Sequence, residues 1–99
     1  MITVINRLTV HGDTATFEKV LSGITDHMST QPGFLSHRLH RSLNHPEIYI
    51  ETAEWTDAQS HRQAMTADAF REKVRALSSL ATPEPDIFET LEEAGGGLG

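Results

Sequence analysis

Apolar positions recur along this chain with two different periods, and the switches between them fall at glycine and proline. Residues 2–10 read Ile-Thr-Val-Ile-Asn-Arg-Leu-Thr-Val, with Ile2, Val4, Leu8 and Val10 at one parity. That β-branched alternation predicts a strand, closed by Gly12-Asp13-Thr14. Phe17, Val20, Leu21, Ile24 and Met28 then fall on one face of a helix, with Asp13 or Thr14 as N-cap and Gln31-Pro32-Gly33 as its stop. Strands are expected over residues 33–43 and 47–55, joined by a tight turn at Asn44-His45-Pro46. Thr56-Asp57-Ala58-Gln59 reads as a capping box, with Thr56 as N-cap and Gln59 reaching back. The helix it opens is expected to break near Thr66-Ala67-Asp68 and to resume with Phe70, Val74 and Leu77 buried. Pro83 and Pro85 bar further helix, and Ile87-Phe88-Glu89-Thr90-Leu91 reads as a last strand.

The order β-α-β-β-α-β is the split, ferredoxin-like α+β arrangement with a four-stranded antiparallel sheet. Two helices cover one sheet face, yet both parities of the strands carry apolar residues: Val4 and Leu8 against Ile5, Ile48 and Ile50 against Tyr49 and Trp55. A bare second face would be an apolar patch of a size monomers seldom tolerate. The simplest cover is the same face of a second copy, so a homodimer is expected; the alternative is a monomer with one merely threonine-rich face.

Composition narrows the function. The chain has 99 residues, enough for one domain, here residues 1–93, followed by a Gly-rich tail over 94–99 expected to fray. Lys plus Arg is 8 against 14 for Asp plus Glu, a formal charge of −6. That balance argues against nucleic acid and against a membrane surface as partners, since both require a basic face. There is no cysteine, which removes thiolate chemistry and fits a reducing compartment. Without a signal-like start or a long apolar run, a cytoplasmic protein is expected.

Four segments carry a family resemblance: Asn6-Arg7-Leu8-Thr9, Gln31-Pro32-Gly33-Phe34-Leu35-Ser36-His37-Arg38-Leu39, Ala53-Glu54-Trp55, and the split helix after them. Together they resemble the antibiotic biosynthesis monooxygenases, small dimeric α+β barrels, over residues 2–91. The haem-degrading members use a helix histidine and a helix tryptophan whose places here are taken by Val74 and Ala64, so the resemblance supplies no axial iron ligand. The members that oxidise phenolic polyketides to quinones do so without metal or flavin. Their site resembles this chain at Trp55 and Arg75, while their strand asparagine falls at Glu51 and their helix tyrosine at His61. What the resemblance implies is therefore a cofactor-free monooxygenase acting with O2 on a small aromatic, polyketide-like substrate. Glu51 or His61 would be the base, Asn6 and Arg75 the oxyanion donors, and Trp55 and Tyr49 the stacking walls.

On their own terms these residues keep two readings each. Asn6, on an apolar strand face, is either a core carboxamide bonded to nearby backbone or a donor aimed into a pocket. Tyr49, Glu51, Ala53 and Trp55 share one face by alternation, either lining a pocket or, for Glu51, facing water. His61 lies one turn before Met65, at the edge of the buried stripe. His37 shares parity with Leu35 and Leu39 and is a candidate pocket residue. His37 and His40 point to opposite faces, and no histidine pair takes a chelating spacing on a helix, so no metal site is expected. Three uses of such a pocket stay open: oxygenation, proton transfer alone as in a cyclase or isomerase, and ligand or haem sequestration without turnover.

Overall fold

The computed structural model describes residues 1–95 and runs β1 (Ile2–Val10), α1 (Thr14–Met28), β2 (Phe34–Arg41), β3 (Ile48–Trp55), α2 (Ala58–Ala64), α3 (Asp68–Ser78) and β4 (Ala81–Glu89). The glycine tail lies outside the described residues from residue 96 onward. The sheet is antiparallel in the order β2-β3-β1-β4, so the fold is ferredoxin-like α+β with its second helix divided in two. Asp13 is the N-cap of α1, its carboxylate accepting from the Thr16 amide at 2.9 Å.

Register decides which side chains share a face. Across β1 and β3, Leu8 faces Tyr49, Asn6 faces Glu51, and Val4 faces Ala53. Across β1 and β4, Asn6 faces Pro85 and Leu8 faces Pro83. This inner face packs under α1 and α3. Leu8, Val10, Phe17, Leu21, Ile24, Tyr49, Leu77 and Ala81 form the core. Each large apolar side chain fully buried there contributes about 1.5–3 kcal/mol. The opposite face presents Ile5, Ile48, Ile50 and Phe88 among threonines and charges, and none of the three helices among the described residues lies over it.

Three local expectations need correction. The N-cap of α2 is Asp57, not Thr56: the Asp57 Oδ1 accepts from the Ser60 amide at 2.7 Å, while the Thr56 amide is held by the Gly33 carbonyl at 2.8 Å. β4 begins at Ala81 and includes both prolines. As an edge strand it pairs with β1 alone, and prolines two residues apart put both missing N–H groups on the same side. A bulge between Phe34 and Ser36 shifts the parity of β2, so Phe34 and His37 face inward and Leu35 turns outward at 50% exposure.

Candidate functional site

Between the sheet and the helices lies a cavity of about 290 Å³. The sheet supplies its floor and the apolar stripes of α1 and α3 its roof, with Ile24 and Met28 from one and Phe70 and Val74 from the other. One end is aromatic. Trp55, 1% exposed, meets the Phe34 ring edge-on with centroids 5.5 Å apart, and the His61 ring at the same distance. Most of the lining is apolar, so the few polar side chains stand out.

Those polar groups form a run across three strands of the floor, Asn6 directly opposite Glu51 and His37 diagonal to it. The Asn6 Oδ1 accepts from the Glu84 amide of β4 at 3.0 Å, which fixes the carboxamide. Its Nδ2 then faces the Glu51 Oε1 at 3.4 Å. The other Glu51 oxygen, Oε2, lies 2.9 Å from the His37 Nε2. That nitrogen is also 3.4 Å from the Thr25 Oγ1 of α1. Both side chains of the Glu51–His37 pair are 18% exposed, open to the cavity yet largely withdrawn from bulk water. A carboxylate in such a place is held by its partners, because an unpartnered charge there would be costly.

His61 sits apart from this run. It is 8% exposed, and burial, with the Arg62 charge adding to it, holds its imidazole below the ordinary value of 6.5. The ring is therefore mostly neutral at pH 7, and its Nδ1, like the Trp55 Nε1, is buried without a hydrogen-bond partner among the described residues.

Of the seven side chains singled out in the sequence, Asn6, His37, Glu51, Trp55 and His61 all line this one cavity. Tyr49 does not. It shares the inner face, but it lies one pleat further along, where Phe17 packs on it at 4.8 Å between centroids and its hydroxyl donates to Glu18. It is a core residue rather than a stacking wall. Arg75 is not brought to the site either: it is exposed to solvent and absent from the lining, because Val74 and Leu77 take the inward positions of α3. Thr25, Phe34 and Pro85 line the cavity without having been singled out. Phe34 was concealed by the bulge, and Thr25 by its polarity on an otherwise apolar stripe. No cluster of three metal-ligating side chains occurs among the described residues.

The chain is similar to known proteins along most of its length. Residues 1–76 match the sequence profile described as antibiotic biosynthesis monooxygenase. The chain is 37% identical over 97 residues to a deoxynogalonate monooxygenase of Streptomyces nogalater, covering 95% of this chain and 82% of that protein. The crystal structure of SnoaB, a cofactor-independent oxygenase from Streptomyces nogalater, superposes with a TM-score of 0.92 at 34% identity, covering 95% of this chain and 96% of that one. A conserved protein of Methanosarcina mazei superposes at 0.83 with 22% identity over 91% of this chain and 92% of its own, a likeness of fold.

Proposed function

The chain belongs to the antibiotic biosynthesis monooxygenase family, and from that premise we propose that it is a cofactor-independent monooxygenase converting a phenolic, polycyclic, polyketide-type compound to a quinone with O2. The observation that carries the reading is the polar run Asn6–Glu51–His37 set into the floor of an otherwise apolar cavity. Without a cofactor, the substrate itself must give up electrons to O2, and a phenol does so once deprotonated. A site for that reaction needs a proton acceptor, a hydrogen-bond donor for the oxyanion, and a dry slot for the rings. The Glu51–His37 pair supplies the first. Asn6 supplies the second, since among the described residues its Nδ2 is held only by the long contact to Glu51. Trp55 and Phe34 wall the third, and Met28 and Met65 adapt to its edges. A volume of about 290 Å³ is about twice that of a 150 Å³ cavity that takes one benzene, which suits two or three fused rings.

A hydroxylated anthrone, offered to the chelator-treated protein with and without air, tests the reading. Quinone is expected only in air, with one O2 consumed per quinone, and Glu51→Gln is expected to lower kcat by about 10²-fold or more. Turnover without O2 would assign the pocket to proton transfer alone. Tight binding without turnover, unchanged in Glu51→Gln, would assign it to sequestration.

The same reading makes the working unit a homodimer in the cytoplasm. Ile5, Ile50 and Phe88 lie on the sheet face away from the helices, and Arg7 and Arg38 share it with Glu54, Glu84 and Asp86. A face carrying both signs of charge around an apolar centre can pair with itself about a two-fold axis. Sedimentation should give twice the 11.0 kDa chain mass, and Ile50→Glu should return it to one. A wild-type particle of single-chain mass in dilute solution would remove the dimer.

A further inference from the structure

The hydrogen bonds around His37 say more than that it lines the cavity. Its Nε2 has two neighbours: the Glu51 carboxylate oxygen at 2.9 Å and the Thr25 Oγ1 at 3.4 Å. The Thr25 hydroxyl donates its own hydrogen to the Leu21 carbonyl at 3.2 Å, so towards His37 it can only accept. Both neighbours are acceptors, which puts the ring hydrogen on Nε2. The Nδ1 is then the free lone pair, and among the described residues it has no hydrogen-bond partner. Glu51 is itself braced by Asn6, which is tied to the β4 backbone. The order carboxamide, carboxylate, imidazole, free nitrogen is that of a base held in one tautomer by a carboxylate behind it.

We infer that His37, through Nδ1, is the catalytic base and acid of this site, and that Glu51 is its positioning residue. The assignment rests on the monooxygenase reading above and fixes which atom moves the proton. His37 Nδ1 takes the proton of the substrate hydroxyl, and the electron pair stays on the ring as phenolate. Dioxygen, the co-substrate, adds at the activated ring carbon to give a peroxide anion. The imidazolium returns its proton to the terminal oxygen, giving a hydroperoxide and restoring neutral His37. Loss of the hydrogen on that carbon with cleavage of the O–O bond leaves a carbonyl; the departing hydroxide and the released proton form water. One oxygen atom enters the product, one leaves as water, and the enzyme ends as it began. Throughout, the Glu51 charge stabilises the imidazolium across the 2.9 Å contact.

His61 of α2 is the other titratable group lining the cavity. α1 and α3 turn only Thr25, Ser78 and apolar side chains toward it, and β4 turns prolines. Its ring is packed edge-on to Trp55 with Nδ1 buried out of a substrate's reach, and burial with the Arg62 charge weakens it as a proton acceptor, so it does not compete for this role.

Two measurements test the assignment. In the wild-type protein, nitrogen NMR of labelled histidine should find His37 protonated on Nε2 with Nδ1 bare, and Glu51→Gln should admit the opposite tautomer, because an amide can donate back to Nε2. With the hydroxylated anthrone, His37→Ala should lose about 10²–10⁴-fold in kcat with little change in KM, and added imidazole should restore about tenfold. A circular dichroism spectrum matching wild type excludes loss of fold, and rescue in the same preparation confirms it. A neutral wild-type His37 carrying its proton on Nδ1, or a His37→Ala variant within about threefold of wild-type turnover, would overturn the assignment. Those failures are distinct from failure of the monooxygenase reading, in which the wild type itself consumes no O2 while the NMR result still stands.

Discussion

Gly33→Ala is expected to unsettle the aromatic end of the cavity from outside it. Gly33 ends the turn between α1 and β2 at φ +90, in the left-handed region, and its carbonyl accepts from the Thr56 amide at 2.8 Å. A methyl added there would lie 2.5 Å from the Ser60 Cβ, 2.6 Å from its Oγ and 2.9 Å from the Thr56 Oγ1. Carbon atoms pack at about 3.5–4.0 Å, so the overlap with the Ser60 Cβ is about an ångström, and no rotamer of Ser60 relieves it. The backbone conformation costs about 1–2 kcal/mol for any L side chain, and the steric conflict adds about 1–3 kcal/mol. A loss of about 2–5 kcal/mol is a large share of a stability of about 5–15 kcal/mol. In urea the midpoint should fall by about 1–2 M with the slope unchanged. Because the conflict pushes on the first turn of α2, which carries His61, ligand affinity should fall as well. Adding Ser60→Gly should recover the steric part and leave the backbone part. A Gly33→Ala protein within about 0.5 kcal/mol of wild type would refute this account of the turn.

Three further outcomes follow from the structure. Burial holds the His61 imidazole below 6.5, so the unfolded chain binds a proton there first; the stability it contributes is present at neutral pH and is lost as pH falls below about that value. Thermal unfolding from pH 7.5 to 5 should show this decline, and His61→Phe should flatten it; an equal slope in both proteins would contradict the burial argument. Tyr49→Phe should cost about 0.5–1.5 kcal/mol through the lost bond to Glu18 while kcat stays near wild type, and Arg75→Ala should leave both stability and kcat near wild type. A large fall in kcat for either would return that residue to the site.

Element order was legible because the apolar periods of β1, α1 and β3 are long and unambiguous. The meeting of Glu51, Trp55 and Asn6 at one cavity was legible for the same reason: strand alternation is rigid, and β1 and β3 are regular. What was not legible depended on register and on competition between neighbours. Alternation says that Tyr49 and Glu51 share a face but not where the core ends and the cavity begins; α1 decides that by laying Phe17 on Tyr49. The bulge at residues 34–36 exchanges Phe34 for Leu35 at the inner face, and a single extra residue leaves no mark on composition. Thr56 and Asp57 are both good caps, and the Thr56 amide's bond to Gly33, a contact distant in sequence, leaves the role to Asp57. The prolines of β4 read as breakers because the sequence does not say which strand will be an edge. The Glu51–His37 pair, the most informative contact in the site, joins two strands on a diagonal that only the shifted register of β2 creates.

Isotope labelling of the oxygen source tests the central claim most directly. With ¹⁸O₂ and a hydroxylated anthrone, the chelator-treated wild-type protein should place one labelled atom in the quinone and the other in water. Product formed at the same rate without oxygen, or quinone whose new oxygen comes from unlabelled water, would contradict a cofactor-free oxygenase in this cavity.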